Sequence, residues 1–103
     1  MARLGELAQL VRSKNAGPFA LTLDILFADP ELYRKVKASV VLDAALFARL
    51  YRCAPDRVTF AAYDAALAFK ATIPRPLPSG DPADTDVYGG QQFAPILDLE
   101  IPL

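Results

Sequence analysis

The most informative absence in this sequence is histidine, which does not occur among its 103 residues. Cysteine occurs once, at Cys53. Zinc sites are built mainly from Cys and His ligands, and Ser-His or Cys-His relays require an imidazole. These absences argue against both chemistries and leave proton transfer to Asp, Glu, Lys or Tyr, whose ordinary pKa values lie far from neutrality. We therefore expect no metal, no cofactor and no self-contained active site.

Long apolar runs are also absent: no stretch of eighteen apolar residues occurs, so no transmembrane helix is predicted. The first residues, Met-Ala-Arg-Leu-Gly-Glu, lack the apolar core of a signal peptide. Cys53 has no second cysteine with which to form an internal disulfide, which fits a reducing compartment. We expect a cytoplasmic protein in which Cys53 is a small residue of the core or of its edge.

An excess of charge of either sign is missing as well, since eleven Lys and Arg stand against twelve Asp and Glu. Nucleic-acid binding depends on clustered positive charge, so this balance argues against a nucleic-acid partner. Apolar residues make up 53% of the chain, and the mean hydropathy is +0.23. A single domain over residues 1–103 has too much surface to bury all of this material. An exposed apolar patch usually marks an interface, so we expect a homo- or hetero-oligomer.

The first third of the chain shows both helical and strand patterns. Residues 4–12 fit helical spacing and strand alternation, and we favour a helical turn that leads into a short strand. Asn, Gly and Pro in residues 13–18 predict a loop. Residues 19–27 are predicted as a strand with Thr22 and Asp24 on one face. The other face of that strand carries Leu21, Leu23, Ile25 and Phe27.

Two helix starts follow this strand. Asp29 is predicted to cap a helix that begins at Pro30. Asp43 is predicted to cap a second helix over residues 44–52. The residues expected to face the core are Leu32, Tyr33 and Val36 in the first helix and Leu46, Phe47, Leu50 and Tyr51 in the second.

Three further strands are predicted over residues 58–63, 67–73 and 96–101. Asp64 and Ala65, between the first two, form either a tight turn or a bulge. The expected inward residues are Leu67, Phe69, Ala71 and Ile73 in the second of these strands and Leu97, Leu99 and Ile101 in the third. The expected outward residues are Lys70, Thr72, Asp98 and Glu100. These elements predict an α+β fold, an antiparallel sheet with helices on one face and a long Pro-rich loop before the last strand.

About twenty residues between Pro74 and Pro95 show no periodic pattern. Several prolines favour an extended path, and so long an unpatterned stretch in a small domain is normally functional or disordered. Its mixed polar content favours order through contact with another molecule. The candidate catalytic residues here are Arg75, Asp84, Asp86 and Tyr88, and the candidate binding residues are Arg75, Gln91 and Gln92.

The chemistry of these loop residues has two interpretations. Arg75 lies between two prolines, which reduces the entropy lost when its guanidinium binds a carboxylate or phosphate. Asp84 and Asp86 point the same way on an extended chain, as in a paired-carboxylate or magnesium site, although an Asp-x-Asp alone is a poor metal signature. The same carboxylates are also typical of loop caps, and Tyr88 with the glutamines either contacts a ligand or fixes the loop.

The predicted loop at residues 13–18 is a second candidate site. Lys14 supplies a cation, and Asn15 and Gly17 adopt positive φ readily, so that successive backbone N–H groups can hold an anion. The same residues also make ordinary turns between strands. The sequence leaves open whether this segment contacts an anion or partner or is a plain turn.

Motifs along almost the whole chain resemble the family called domain of unknown function 4387. They are Ser13-Lys14-Asn15-Ala16-Gly17-Pro18-Phe19, Thr22-Leu23-Asp24, Ile73-Pro74-Arg75-Pro76, Pro78-Ser79-Gly80, Asp84-Thr85-Asp86-Val87-Tyr88-Gly89, Gln91-Gln92, Ala94-Pro95 and Leu97-Asp98-Leu99-Glu100-Ile101-Pro102. The resemblance adds Ser13, Asp24, Ser79 and Gly80 to the candidate ligand- or partner-binding residues. Members often carry a histidine after the Gln-Gln pair, where this sequence has Phe93. That difference favours a structural or binding role.

A fainter similarity links the chain to the C-terminal domain of the acyclic terpene utilisation protein AtuA. It rests on Leu7-Ala8, Arg12-Ser13 and Pro30-Glu31-Leu32-Tyr33, and it implies a ferredoxin-like arrangement. The family resemblance implies a small accessory subunit, encoded beside or fused to an AtuA-like large protein. It further implies the catabolism of branched or acyclic acids, with an acyl-CoA or carboxylate ligand.

Two other functions stay open on the sequence. A freestanding hydratase or lyase acting on a branched organic acid would use Lys14 together with Arg75, Asp84, Asp86 and Tyr88. A ligand-sensing module would bind such an acid without any catalytic partner.

Overall fold

A computed structural model describes residues 2–17, 19–74 and 94–102. The strands are β1 (Ala2–Arg3), β2 (Leu10–Asn15), β3 (Ala20–Leu26), β4 (Thr59–Tyr63), β5 (Ala68–Pro74) and β6 (Glu100–Ile101). The helices are α1 (Leu4–Leu7), α2 (Pro30–Ser39), α3 (Ala44–Tyr51) and α4 (Ala94–Leu97). One-turn 3₁₀ helices at Pro55–Arg57 and Asp64–Ala66 precede β4 and β5. The predicted α+β class is confirmed.

The main sheet has four strands in the order β2-β3-β5-β4, and every neighbouring pair is antiparallel. The hairpins β2-β3 and β4-β5 therefore meet at the β3-β5 pair. Since β3 and β4 both run antiparallel to β5, they run in the same direction, and α2 and α3 connect them. This is a split βαβ unit, which ferredoxin-like folds contain. The sheet is thus compatible with the ferredoxin-like arrangement, which itself stays a prediction.

One face of the main sheet packs against α2 and α3 and holds the hydrophobic core. The ring of Phe69 in β5 lies 4.9 Å, centroid to centroid, from the ring of Tyr33 in α2. Phe60 in β4 stacks on Phe69 at 6.0 Å and on Phe47 of α3 at 5.7 Å. The residues buried on this side include Leu21, Leu23, Ile25, Phe27, Tyr33, Val36, Phe47, Phe69, Ala71 and Ile73. The predicted inward face of the strand over residues 19–27 is confirmed.

Both predicted helix caps are confirmed. Asp29 Oδ1 accepts a hydrogen bond from the backbone N–H of Glu31 at 2.9 Å, and Pro30 is the first residue of α2. Asp43 Oδ1 accepts one from the backbone N–H of Leu46 at 2.8 Å. These bonds satisfy N–H groups that have no partner inside the helix, which is why the helices begin where they do.

The loop predicted over residues 13–18 is wrong for its first three residues. Ser13, Lys14 and Asn15 continue β2, and Asn15 pairs with Leu21 of β3. The chain reverses later, where Gly17 has a φ of +89°. Pairing with β3 holds these turn-forming residue types extended, since tertiary context overrides local preference in sheets. The backbone of residues 13–15 is therefore a strand and not an anion-binding turn.

The strand predicted over residues 67–73 begins one residue later. Asp64–Ala66 forms a 3₁₀ turn, and Leu67 has a left-handed φ of +52°. Leu67 therefore reverses the chain and does not belong to β5, although it still packs against the core. Of the two alternatives for Asp64 and Ala65, the turn is the one observed.

The last strand is much shorter than predicted. Residues 94–97 form α4, and only Glu100–Ile101 is a strand. It pairs with β1 in a separate two-stranded sheet, with Ile101 opposite Ala2. Ile96 is buried and Leu97 half-buried, so the predicted alternation fails. Apolar residues in so short a segment fit a helical turn as well as a strand.

The two ends of the described chain form one unit, here called the terminal clasp (residues 2–8 and 94–102). The backbone N–H of Leu4 donates to the carbonyl of Leu99 at 2.7 Å. A Cβ on Gly5 would stand 3.1 Å from the carbonyl oxygen of Leu97, so the close approach of α1 and α4 leaves little room for a side chain at this position. The residues that the clasp buries completely in the core are Leu4, Ile96 and Ile101.

Candidate binding cleft

The face of the main sheet opposite α2 and α3, here called the open face, carries three rows of side chains. Antiparallel register places one residue of each strand side by side in a row. In the strand order β2, β3, β5, β4, the apolar row is Leu10, Leu26, Ala68 and Tyr63. The charged row is Arg12, Asp24, Lys70 and Ala61, and the third row is Lys14, Thr22, Thr72 and Thr59. Neighbouring rows are about 7 Å apart, because they are two residues apart along each strand.

The charged row is centred on Asp24 in β3. Asp24 is 8% exposed, and its Oδ2 accepts a hydrogen bond from Nε of Arg12 in β2 at 3.1 Å. Lys70 of β5 occupies the register position on the other side of Asp24. A buried carboxylate requires such neighbours, since desolvation without a partner is strongly unfavourable. Three strands thus bring one anion and two cations into one row.

A cleft of about 350 Å³ opens between the charged row and the apolar row. Its apolar lining consists of Leu26, Tyr63, Ala66 and Ala68. Ala68 is paired with Leu26 on one side and with Tyr63 on the other. The small side chain between two large ones leaves the space that forms the cleft. Tyr63 is 51% exposed, so the cleft is open to solvent along this wall.

The lining of the cleft combines three charged side chains with an apolar wall. Arg12 and Lys70 against Asp24 leave one net positive charge beside an apolar wall. Among the described residues that line the cleft there is no Ser, Thr or Cys that could act as a nucleophile. The carboxylate of Asp24 accepts a hydrogen bond from the guanidinium of Arg12. This arrangement can bind an anionic group next to an apolar one.

The structure divides the candidate binding residues of the first third of the chain between two faces. Lys14 and Asp24 lie on the open face in adjacent rows, Lys14 exposed and Asp24 inside the cleft. Ser13 and Asn15 lie on the core side of β2, where Ser13 is 7% exposed. Gly17 lies in the turn between β2 and β3. Lys14 and Asp24 can therefore act together, whereas Ser13 and Asn15 face away from them.

The other candidates lie outside the described residues: Arg75, Ser79, Gly80, Asp84, Asp86, Tyr88, Gln91 and Gln92. Their catalytic and binding roles stay predictions, as does the long Pro-rich loop that contains them. Cys53, expected as a small residue of the core or its edge, is half-buried and packs against the core.

Arg12, Lys70 and Tyr63 are not among the site residues that the sequence predicts. Alternation places Lys70 on the polar side of its strand. The sequence predicts, however, that β2 ends at Arg12, and so short a strand does not show how Arg12 and Lys70 align across the sheet. The missing signal is the length of β2. Once this strand continues to Asn15, Arg12 and Lys14 both fall on the open face, beside Asp24.

A second polar cluster joins α2 to the turn before β5. Asp64 Oδ1 accepts hydrogen bonds from the hydroxyl of Tyr33 at 2.7 Å and from Nζ of Lys37 at 2.8 Å. Burial, and then the hydrogen bond to Asp64, raise the pKa of Tyr33 to about 12. The bonds from Lys37 and then Tyr33 lower the pKa of the Asp64 carboxyl. The three groups bind one another, so this cluster fixes α2 against the turn.

Tyr33→Phe is expected to reduce the loss of stability at alkaline pH. Folded Tyr33 keeps its proton up to a pH of about 12, whereas an unfolded tyrosine releases it near pH 10. In that window the unfolded state binds fewer protons, so the free energy of unfolding falls as the pH rises. Urea unfolding between about pH 9 and 11 measures this slope. Tyr63→Phe, which removes an exposed phenol, is the control, and an unchanged slope in Tyr33→Phe contradicts the expectation.

Two further features concern residues 2–17, 19–74 and 94–102. No group of three or more His, Cys, Asp or Glu side chains in these ranges is placed to hold a metal ion. Among the helices of the same ranges, none has both the length and the apolar character needed to cross a bilayer.

Comparison with known proteins identifies a family without an assigned function. The family model described as domain of unknown function (DUF4387) matches residues 4–100. No curated protein and no solved structure matches the chain. The matched range contains all four strands of the main sheet and therefore the whole lining of the cleft.

Proposed function

The chain belongs to the family described as domain of unknown function 4387, and from this premise we propose that it is a cytoplasmic accessory subunit of an AtuA-like large protein. The pair would act in the catabolism of branched or acyclic acids or of their acyl-CoA thioesters. The observation that carries the proposal is the open face, which presents an apolar row and a positively charged row side by side.

The four described α-helices pack into the core and do not line the cleft on the open face. Helices α1, α2, α3 and α4 all contribute buried residues to one core. The inward residues of the main sheet belong to the same core, on the side of the sheet opposite the open face. On the open face, Leu10 is 45% exposed and Tyr63 is 51% exposed, at the two ends of the apolar row. A contiguous apolar strip beside charged residues is typical of a protein interface.

The charge of the open face indicates which kind of partner surface fits it. Arg12, Lys14 and Lys70 against Asp24 leave two net positive charges, although the whole chain has a net charge of −1. A patch of net positive charge therefore lies on this face of a chain that is slightly acidic as a whole. A partner surface with acidic side chains around an apolar patch would complement both rows. We propose that the AtuA-like protein supplies this surface.

The described polar groups support a binding role for the chain. Tyr33 and Lys37 donate to Asp64, and Arg12 donates to Asp24, so these groups are engaged in structural contacts. The sequence contains no histidine to act near neutral pH. In this proposal the reacting groups belong to the large protein, and the small chain contributes a contact surface and the cleft.

Lys14→Glu is expected to weaken association with the large protein by about tenfold or more. The substitution reverses the charge of an exposed side chain on the open face and sets it against an acidic surface. Isothermal titration calorimetry of the full chain against an AtuA-like large protein from the same genome measures the effect. Lys35→Glu makes the same charge change on the exposed side of α2 and is expected to leave the affinity within about twofold.

Two outcomes contradict the proposal. Failure of the wild-type chain to associate at micromolar concentration contradicts the subunit role itself. Equal weakening by Lys14→Glu and Lys35→Glu contradicts the open face as the contact surface, because the effect would then reflect total charge and not position.

A further inference from the structure

We infer that the cleft on the open face binds a small organic carboxylate, with the carboxylate beside Lys70 and a short apolar body against Leu26, Ala68 and Tyr63. The inference deepens the proposed function, since it names the ligand of the same sheet face. Only the metabolic role of the ligand depends on that proposed function. The binding itself requires nothing beyond this chain, because its own strands and the turn at Ala66 form the cleft.

Charge selects the head group of the ligand. Asp24 can neutralise one of the two cations beside it, and it is hydrogen-bonded to Arg12 at 3.1 Å. Lys70, half-buried at the neighbouring register position, therefore carries the excess positive charge of the cleft. One excess charge matches a carboxylate. A phosphate group, with a charge of about −1.5 to −2 near neutral pH, would retain negative charge next to Asp24.

The apolar wall selects the body of the ligand. Leu26 and Tyr63 flank Ala68, so an apolar group that enters above Ala68 touches a side chain on either side. The cleft volume of about 350 Å³ corresponds to about twelve groups of the size of a water molecule, at about 30 Å³ each. An acid with about four to six carbon atoms fits this space, which lies at the lower end of the range for ligand pockets.

The distance between the rows agrees with a ligand of this length. Lys70 and Ala68 are two residues apart on β5, so the backbones of the charged row and the apolar row are about 7 Å apart at this strand. A chain of about five carbon atoms, with bonds of about 1.5 Å, covers most of that distance. One molecule can therefore contact both rows, and a ligand with only one of the two features loses its contacts with one of them.

Amide NMR titration of the isolated full chain with isovalerate tests this inference. Isovalerate is expected to shift the amide signals of Asp24, Leu26, Ala68 and Lys70 and to saturate them. Isoamyl alcohol, which has the same carbon skeleton without the charge, is expected to bind at least about tenfold more weakly, as is acetate, which has the charge without the body.

Two variants and one control locate the site. Lys70→Met removes the charge and keeps the side-chain length, and it is expected to weaken isovalerate binding by about tenfold or more. Ala68→Leu fills the cleft and is expected to abolish binding. Lys35→Met, the same substitution on the exposed side of α2, is expected to leave binding unchanged. The amide spectrum of each variant reports whether it folds, and Lys70→Gln replaces Lys70→Met if the latter does not.

Three results would overturn the inference. They are binding of isoamyl alcohol as tight as that of isovalerate, binding of inorganic phosphate as tight as that of isovalerate, and unchanged isovalerate binding by a folded Lys70 variant. The two proposals also fail separately. Isovalerate binding without association with the AtuA-like protein contradicts the subunit role alone, and association without isovalerate binding contradicts the ligand alone.

Discussion

Phe69→Ala is expected to lower the free energy of unfolding by about 3–5 kcal/mol. Phe69 is 2% exposed, and its ring contacts those of Phe27, Tyr33 and Phe60. Alanine removes the ring from the place where β4, β5 and α2 meet, and it leaves a cavity that close-packed neighbours fill only in part. Domains of this size are stabilised by about 5–15 kcal/mol, so the loss is a large share of the total.

Urea unfolding followed by circular dichroism measures this loss, with Phe19→Ala as the matched control. Phe19 is 67% exposed, so the same change of side chain is expected to alter the free energy of unfolding by no more than about 0.5 kcal/mol. A Phe69→Ala loss as small as that of Phe19→Ala would show that the aromatic cluster is not the centre of the core.

Ile101→Ala is expected to lower the free energy of unfolding by about 2–5 kcal/mol. Ile101 lies in a strand of only two residues near the end of the chain, yet it is 0% exposed and belongs to the same core as the main sheet. Terminal segments are often poorly ordered unless packing ties them down. A loss of this size would show that the terminal clasp unfolds together with the main sheet.

Glu100→Ala is the control for this prediction, because Glu100 is the exposed neighbour of Ile101 in β6. It is expected to change the free energy of unfolding by no more than about 0.5 kcal/mol. If Ile101→Ala has an equally small effect, and hydrogen exchange shows the terminal clasp opening on its own, the clasp is an independent unit and the prediction is wrong.

The parts of the fold that could be predicted from sequence are those fixed by local chemistry. Asp29 followed by Pro30 determines a helix start by itself, because the capping bond and the proline φ involve only neighbouring residues. The alternation in β3 is equally local, since successive side chains of a strand point to opposite faces and its core-facing apolar residues fall on every second position. These elements required no knowledge of what packs against them.

The parts that could not be predicted depend on partners far away in the chain. Residues 13–15 have the composition of a turn, and only pairing with β3 extends them. Ile96 and Leu97 belong to α4 because the helical turn puts Ile96 into the core beside Leu4 and brings Leu97 against Gly5. Local residue preferences are weaker than such contacts, so a pattern in a short segment leaves the choice open.

The candidate cleft illustrates the same limit for function. Asp24 could be named from its motif, but Arg12 and Lys70 become its neighbours only through the registers of two different strand pairs. A slip of one residue in either pair would send the cation to the opposite face of the sheet. Register is a property of the assembled sheet, and the charged row follows from it.

The pairing of β1 with β6 also bears on how this chain can be attached to other chains. Ala2 stands directly opposite Ile101, which places their Cα atoms about 4.5–5.5 Å apart. A polypeptide tethered in front of the first strand and one tethered behind the last would thus depart from the same corner of the molecule. A protein fused before β1 and one fused after β6 would therefore both be held at that corner. A short linker between the two ends could also close the chain into a ring.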